Sequence, residues 1–220
     1  MTPSDQPTSR DQLTDAVERS RDLEGLVDAA WGAVEVPAES RAAVAAGLCA
    51  LSLNHGRSIR ILLSEVPPSA IALLRPQYEA LVRAVWAHHA ATEADLARLL
   101  APLTLDSQQA AKKLPGVPDM LTALQKSGAT GAAATLGRAR ARLWDGLNSF
   151  VHGGIHPFHR GASGYPIPLL ADLLKNTNAM TMLTLVALTE ITADADVVAL
   201  MAGLHDEFGD VLPALEPFPA

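Results

Sequence analysis

Residues 148–161 read NSFVHGGIHPFHRG and gather side chains that move protons and hold anions. His152, His156 and His159 fall within eight positions, straddle Gly153-Gly154 and lead directly into Arg160. Imidazole titrates nearer neutral pH than other side chains, and guanidinium presents a fork of donors that fits phosphate or carboxylate. Upstream, Arg138, Arg142, Asp145, Asn148 and His152 are spaced at intervals of 4, 3, 3 and 4, which lines them along one polar stripe of a helix. Leu136, Leu143, Leu147, Phe150 and Val151 take the opposite side. An amphipathic helix with a solvated Arg/Asp face accounts for that pattern by itself. The stripe nevertheless ends in a histidine, at the negative end of the helix dipole. His156, His159 and Arg160 come next, in a segment able to fold back over it as an anion-binding rim.

A second helix carries a comparable pattern. Arg75, Glu79 and Arg83 stand at i, i+4 and i+8 within SAIALLRPQYEALVRAVWAHHA, with Leu74, Tyr78, Leu81 and Val85 supplying apolar contacts. A surface ion-pair ladder explains this and adds only tenths of a kcal/mol. The sharper expectation is that Arg75 and Glu79 face the polar stripe of the later helix.

Together, ALLRPQYEALVRAVW and LNSFVHGG resemble the HEPN-like helical families of bacteria, which place Arg-xxx-Glu on one bundle helix and Asn/Ser-xxx-His-Gly on a later one. The likeness spans about Ser40 to Gly161 and the helix after it. Active HEPN proteins are metal-independent ribonucleases in which an Arg-polar-xxx-His helix, usually paired across a dimer, holds the phosphate and moves protons during attack by the 2′-hydroxyl. The resemblance makes His152 the acid/base and Asn148 its orienting residue, with Arg75, Glu79 and Arg142 completing the catalytic set. The family's arginine belongs just before Asn148, where this chain has Leu147. Cleavage by that mechanism therefore needs Arg75 or Arg142 as a substitute.

A metal site is the competing arrangement. His152 and His156 are four apart, and His55 in SLNHGRS lies on another helix. That is the ligand set of DinB-like metal hydrolases, with a position left for water. Gly153-Gly154 breaks the helical geometry of the pair, and no acidic residue lies nearby to orient the imidazoles. No metal or cofactor is assigned. His88 and His89 are adjacent, so they diverge on a helix and suit a surface or boundary. Cys49, the single cysteine, lies in the apolar run AAVAAGLCALSL and suits the core. There is no Gly-x-Ser-x-Gly elbow, P-loop or GxGxxG fingerprint to support nucleophilic or nucleotide-driven chemistry.

The elements that must position these groups are helices. Apolar residues make up 49% of the 220 residues and aromatics only 4%, a mixture that suits close-packed helices better than sheet. SRDQ at Ser9–Gln12 matches a capping box and opens the first helix, which Pro37 ends. A second runs from about Ser40 to Val66, where Pro67-Pro68 stops it, and a third from about Ser69 to Ala90 with a kink at Pro76. A short helix capped by Thr92 precedes two weaker segments near residues 105–113 and 118–126. The long stripe-bearing helix covers about Ala132 to His152, and Gly153-Gly154 ends it. His152 to Pro168 reads as a loop of seventeen residues, before the helix LLADLLKNTNAMTMLTLVALTEI and a last one near Val197–Phe208. The expectation is an all-α, single-domain HEPN-like bundle of about seven or eight helices over residues 9–212, between flexible ends at 1–8 and 213–220.

Charge narrows the partners. The net charge is −7, yet residues 112–160 carry seven bases against two acids, while residues 1–40 carry nine acids against three bases. An acidic chain does not coat nucleic acid, but its basic segment can hold one anionic group. No signal peptide or membrane span is read, so a cytoplasmic protein, homodimeric through its apolar helices, is expected. Two functions are consistent with these features. One is a non-catalytic binding or regulatory module in a phage-defence or toxin–antitoxin setting, with RNA or a protein as partner. The other is a toxin-type endoribonuclease centred on His152.

Overall fold

The structure, a computed structural model, describes residues 9–214. The expected flexible segment 1–8, and residues 215–220 of the expected tail, lie outside the described residues. Ser9 and Gln12 close the capping box reciprocally, each backbone N–H donating at 3.2 Å to the other's side chain, and open α1 (Arg10–Ala33). α2 spans Ser40–Leu62 and α3 spans Pro67–His89. The two prolines therefore start α3 rather than stop α2, because the first helical positions have no use for an N–H. α3 runs unbroken past Pro76, whose missing N–H leaves the Ala72 carbonyl without its usual donor. Capping boxes at Thr92 and Thr104 open α4 (Glu93–Leu100) and α5 (Leu105–Ala111). α6 (Val117–Lys126), α7 (Thr130–Val151), α8 (Ile155–Ser163), α9 (Ile167–Thr192) and α10 (Ala195–Glu207) complete the order, with one 3-10 turn at Gly209–Val211.

The chain is all-helical, with ten α-helices among the described residues rather than seven or eight. One reason lies in the expected loop, which contains α8. Pro157 is the third residue of that helix, where its missing N–H costs nothing, and Gly164 at φ 82° ends it. No helix among the described residues is long and apolar enough to cross a membrane.

α2 and α3 form a hairpin at the centre. Arg41, at the start of α2, donates to the carbonyls of Ala87 at 2.8 Å and Ala91 at 2.9 Å and so satisfies the end of α3. α9 packs on both hairpin helices, α1 packs on α9 and α2, and α6 and α7 cover α3. Trp86, Tyr78, Leu81, Met120 and Leu174 are fully enclosed in this core. Cys49 is buried as expected, and burial pushes its thiol up to about 12.

The core is not purely apolar. Arg60 of α2 has 1% of its side chain exposed and donates to Glu24 of α1 at 3.0 Å, and to Asn178 and Thr181 of α9 at 3.1 Å each. Asn178 in turn donates to the Ser20 hydroxyl at 2.8 Å and the Val211 carbonyl at 2.9 Å. Burial pulls the Arg60 guanidinium below its ordinary value, and Glu24 and then Asp28 push back. Gly56 makes room for the network, since a Cβ there would lie 2.8 Å from the Gln77 side-chain nitrogen. Glu24→Ala leaves a buried cation without its carboxylate, so it is expected to cost about 3–5 kcal/mol in equilibrium urea unfolding. Arg60→Met, which removes the charge instead, is expected to cost less than Glu24→Ala.

Candidate functional site

α3 and α7 bring the two sequence motifs together. Tyr78 of α3 donates its hydroxyl to the Leu136 carbonyl of α7 at 2.9 Å, and its ring meets Trp144 edge-on at 6.4 Å. With the helices fixed by that contact, Arg75 reaches across to the last two turns of α7. Its Nε donates to Glu79 Oε1 at 2.7 Å, and its Nη1 donates to Asn148 Oδ1. The same Nη1 lies 3.3 Å from His152 Nε2. Guanidinium carries donors only, so this contact is a hydrogen bond in the state of the ring that leaves Nε2 without a proton. The guanidinium also lies 4.6 Å from the Trp144 ring centroid, and that of Arg140 lies 4.8 Å from the same ring. Arg75 and Glu79 are mostly enclosed, at 20% and 30% side-chain exposure.

His152 stands at the end of α7 because two glycines come next in the chain. Gly153 adopts φ 63°, in the left-handed region that favours glycine, and the Gly154 N–H donates to the Ser149 carbonyl at 2.7 Å. A side chain on Gly154 would meet Ser149 Oγ at 2.7 Å, and that hydroxyl accepts from the His156 N–H at 3.0 Å. The Gly-Gly pair thus ends α7, as the sequence suggested, and at once starts α8.

The remaining candidates separate from the cluster. Arg142 donates to Asn176 of α9 at 2.9 Å, whereas Asn148 and His152 of the stripe meet Arg75. His156 stacks on Phe150 with ring centroids 6.3 Å apart, and His159 meets Phe158 edge-on at 5.4 Å. Among the described residues no hydrogen bond joins His156, His159 or Arg160 to Arg75 or His152. No three His, Cys, Asp or Glu side chains come together to hold a metal ion among the described residues, so His55, His152 and His156 do not assemble as ligands. The physical reason is the Gly-Gly break, which puts His152 at the end of one helix and His156 on the next.

The cluster forms one wall of an open groove of about 540 Å³, lined by Ser69, Ala72, Leu73, Pro76 and Val151 besides Arg75, Glu79 and His152. Residues 49–214 match a family of unknown function (DUF6988). The chain belongs to DUF6988. No curated protein and no solved structure matches it. The DUF6988 region contains both halves of the cluster, while α1 with Glu24 precedes it.

Two features escaped the sequence reasoning. Trp144 is the platform for two guanidinium groups, and its only signal is a tryptophan one turn from Asn148 and Arg140. Arg60 falls at the spacing of Cys49, Leu53 and Gly56, all of them buried, so a charge on the core face of α2 was the available sign of the network. His88 and His89 sit at the boundary, His89 against Glu190 at 2.9 Å.

Asn148→Ala takes one acceptor from Arg75 and is expected to lower stability by about 1 kcal/mol in urea unfolding. Burial lowers the proton affinity of both His55 and His88, with the neighbouring His89 adding to the effect at His88. The unfolded chain then binds more protons than the folded one, so the contribution of these two groups to stability falls as pH drops below about 6.5. Thermal unfolding between neutral and mildly acidic pH checks this, and the slope is expected to be shallower in His88→Gln.

Proposed function

We propose that the chain is a non-catalytic binding or regulatory module, and that Arg75, Glu79, Asn148 and His152 form a recognition cluster rather than a reaction centre. The observation that carries this is the commitment of Arg75. Its charge is matched by Glu79, and its Nη1 is taken by Asn148 and His152. A guanidinium that stabilises a phosphorane-like transition state must turn its positive charge towards developing negative charge. Here a carboxylate already sits on that charge, and the imidazole nitrogen that would carry a proton is directed at the guanidinium. A HEPN-like bundle in a toxin–antitoxin or phage-defence setting rests on the resemblance of Arg75-xxx-Glu79 and Asn148-xxx-His152-Gly153, and a cytoplasmic homodimer on the apolar helices and on the sequence's lack of a readable signal peptide or membrane span.

The second function, a metal-independent endoribonuclease, is favoured by one observation. Leu147 occupies the place of the family's arginine, and Arg75 brings a guanidinium to His152 from the facing helix. In that case an incoming phosphate would displace Nη1 from His152 and free the imidazole to accept the 2′-hydroxyl proton. Purified protein in chelator, incubated with mixed RNA beside His152→Ala, separates the two. The binding module leaves the RNA intact in both samples. Chelator-resistant cleavage that disappears in the variant overturns it in favour of the nuclease.

A further inference from the structure

Three guanidinium groups stand along the seam between α3 and α7, and one carboxylate serves them. The helices run antiparallel there. Arg75 meets Asn148 and His152, and Tyr78, further along α3, meets Trp144 and Leu136, further back along α7. In that register Arg83 follows Glu79 by one turn on the same side of α3, and Arg140 precedes Trp144 by one turn on α7. Arg75 and Arg140 share the indole of Trp144, at 4.6 and 4.8 Å from its centroid, so two positive charges bear on one ring. Arg140 also lies close enough to Tyr78 for its charge to oppose the burial that raises the proton affinity of that hydroxyl.

Glu79 answers Arg75 alone. Among the described residues no carboxylate lies within ion-pair distance of Arg83 or Arg140, and neither guanidinium has a hydrogen-bond partner. Asp145, beside Trp144 in the chain, points to solvent and pairs with neither. Both arginines are half-buried, and the Nε of each is fully enclosed without an acceptor. A buried N–H without an acceptor is rare and costly in a folded chain. Here it occurs twice along one seam, beside a third charge of the same sign.

The fixed charges define what fits. Arg75, Arg83 and Arg140 against Glu79 leave a surplus of two positive charges. A phosphomonoester carries about two negative charges at neutral pH and three acceptor oxygens, which guanidinium forks match. A carboxylate or a phosphodiester brings one charge and offsets half of the surplus. We infer that Arg83 and Arg140 on the α3–α7 seam, with Trp144 and Arg75 beside them, bind a phosphate dianion, either free or as the monoester end of a small molecule. This rests on the binding-module function and names its ligand class.

The test titrates the full chain calorimetrically with inorganic phosphate, phenyl phosphate and dimethyl phosphate. The first two are expected to bind saturably at one site per chain, and dimethyl phosphate, a monoanion, at least about tenfold more weakly. Tighter binding of phenyl phosphate than of inorganic phosphate identifies a monoester as the ligand, and equal binding identifies free phosphate. Arg140→Gln is expected to weaken phenyl phosphate by about tenfold or more, and Arg140→Lys, which keeps the charge and loses the fork, by less. Arg83→Gln, on the facing helix, is expected to weaken it likewise and carries the test alone should Arg140→Gln not fold. Absence of saturable phosphate binding, equal affinity for dimethyl phosphate, or unchanged affinity in a folded Arg140→Gln overturns the inference. A protein that cleaves RNA and still binds phenyl phosphate through Arg140 removes the non-catalytic function and keeps this inference. One that leaves RNA intact and binds no phosphate does the reverse.

Discussion

A guanidinium enclosed among three helices sets the terms for the rest of the molecule. Arg60 lies buried on the core face of α2, and burying its charge costs several kcal/mol unless carboxylate and acceptors surround it. Glu24 supplies the carboxylate from α1, Asn178 and Thr181 the acceptors from α9. Asn178 passes the constraint on, through Ser20 to α1 and through the Val211 carbonyl to the chain after α10. Packing of apolar side chains tolerates sliding, whereas these bonds exist in one register only. The same Glu24 also holds Arg57 at the surface at 2.7 Å, so one carboxylate serves two cations. Because α1 precedes the DUF6988 match, the counter-charge for a residue inside the family region comes from outside it.

Register at the centre fixes geometry at the rim. Once α2 and α9 are locked, α3 lies between them and α7, and Tyr78 ties α3 to α7 at the Leu136 carbonyl. Arg75 is one turn before Tyr78 and emerges beside Trp144, Asn148 and His152. The cluster is thus a boundary structure. Its indole and guanidinium planes are partly desolvated, which strengthens their attraction, while one side remains open to the groove. An arginine held this way on several sides loses little further ordering entropy when a ligand arrives, a condition that favours recognition.

The Gly-Gly corner converts that rim into a surface. It stops α7 so that His152 is its last side chain towards Arg75, and it starts α8 at an angle that leaves Ile155 and Phe158 in solvent. Phe150 anchors the corner from beneath, against His156 and Tyr165. Histidines that look like one cluster in the chain therefore serve separate places, one in the Arg75 group and two along α8.

Much of this was legible in the chain. Helical composition, the Ser9 and Thr92 caps, the Gly-Gly stop and the placing of Asn148 and His152 on one face of α7 come from local spacing, because capping and the 3.6-residue period act over a few residues. The tertiary structure decided the rest. Pro67-Pro68 and Pro157 begin helices, since a proline at a first turn and one at a terminus look alike until the neighbouring backbone is placed. Arg142 donates to Asn176 of α9, and no periodicity within α7 encodes that partner. Arg60 and Glu24 are 36 residues apart, and only the packing of α1 on α2 and α9 made one the requirement of the other. Local rules specify where helices begin, end and turn their faces, whereas the pairing of buried charges is a property of the assembled bundle.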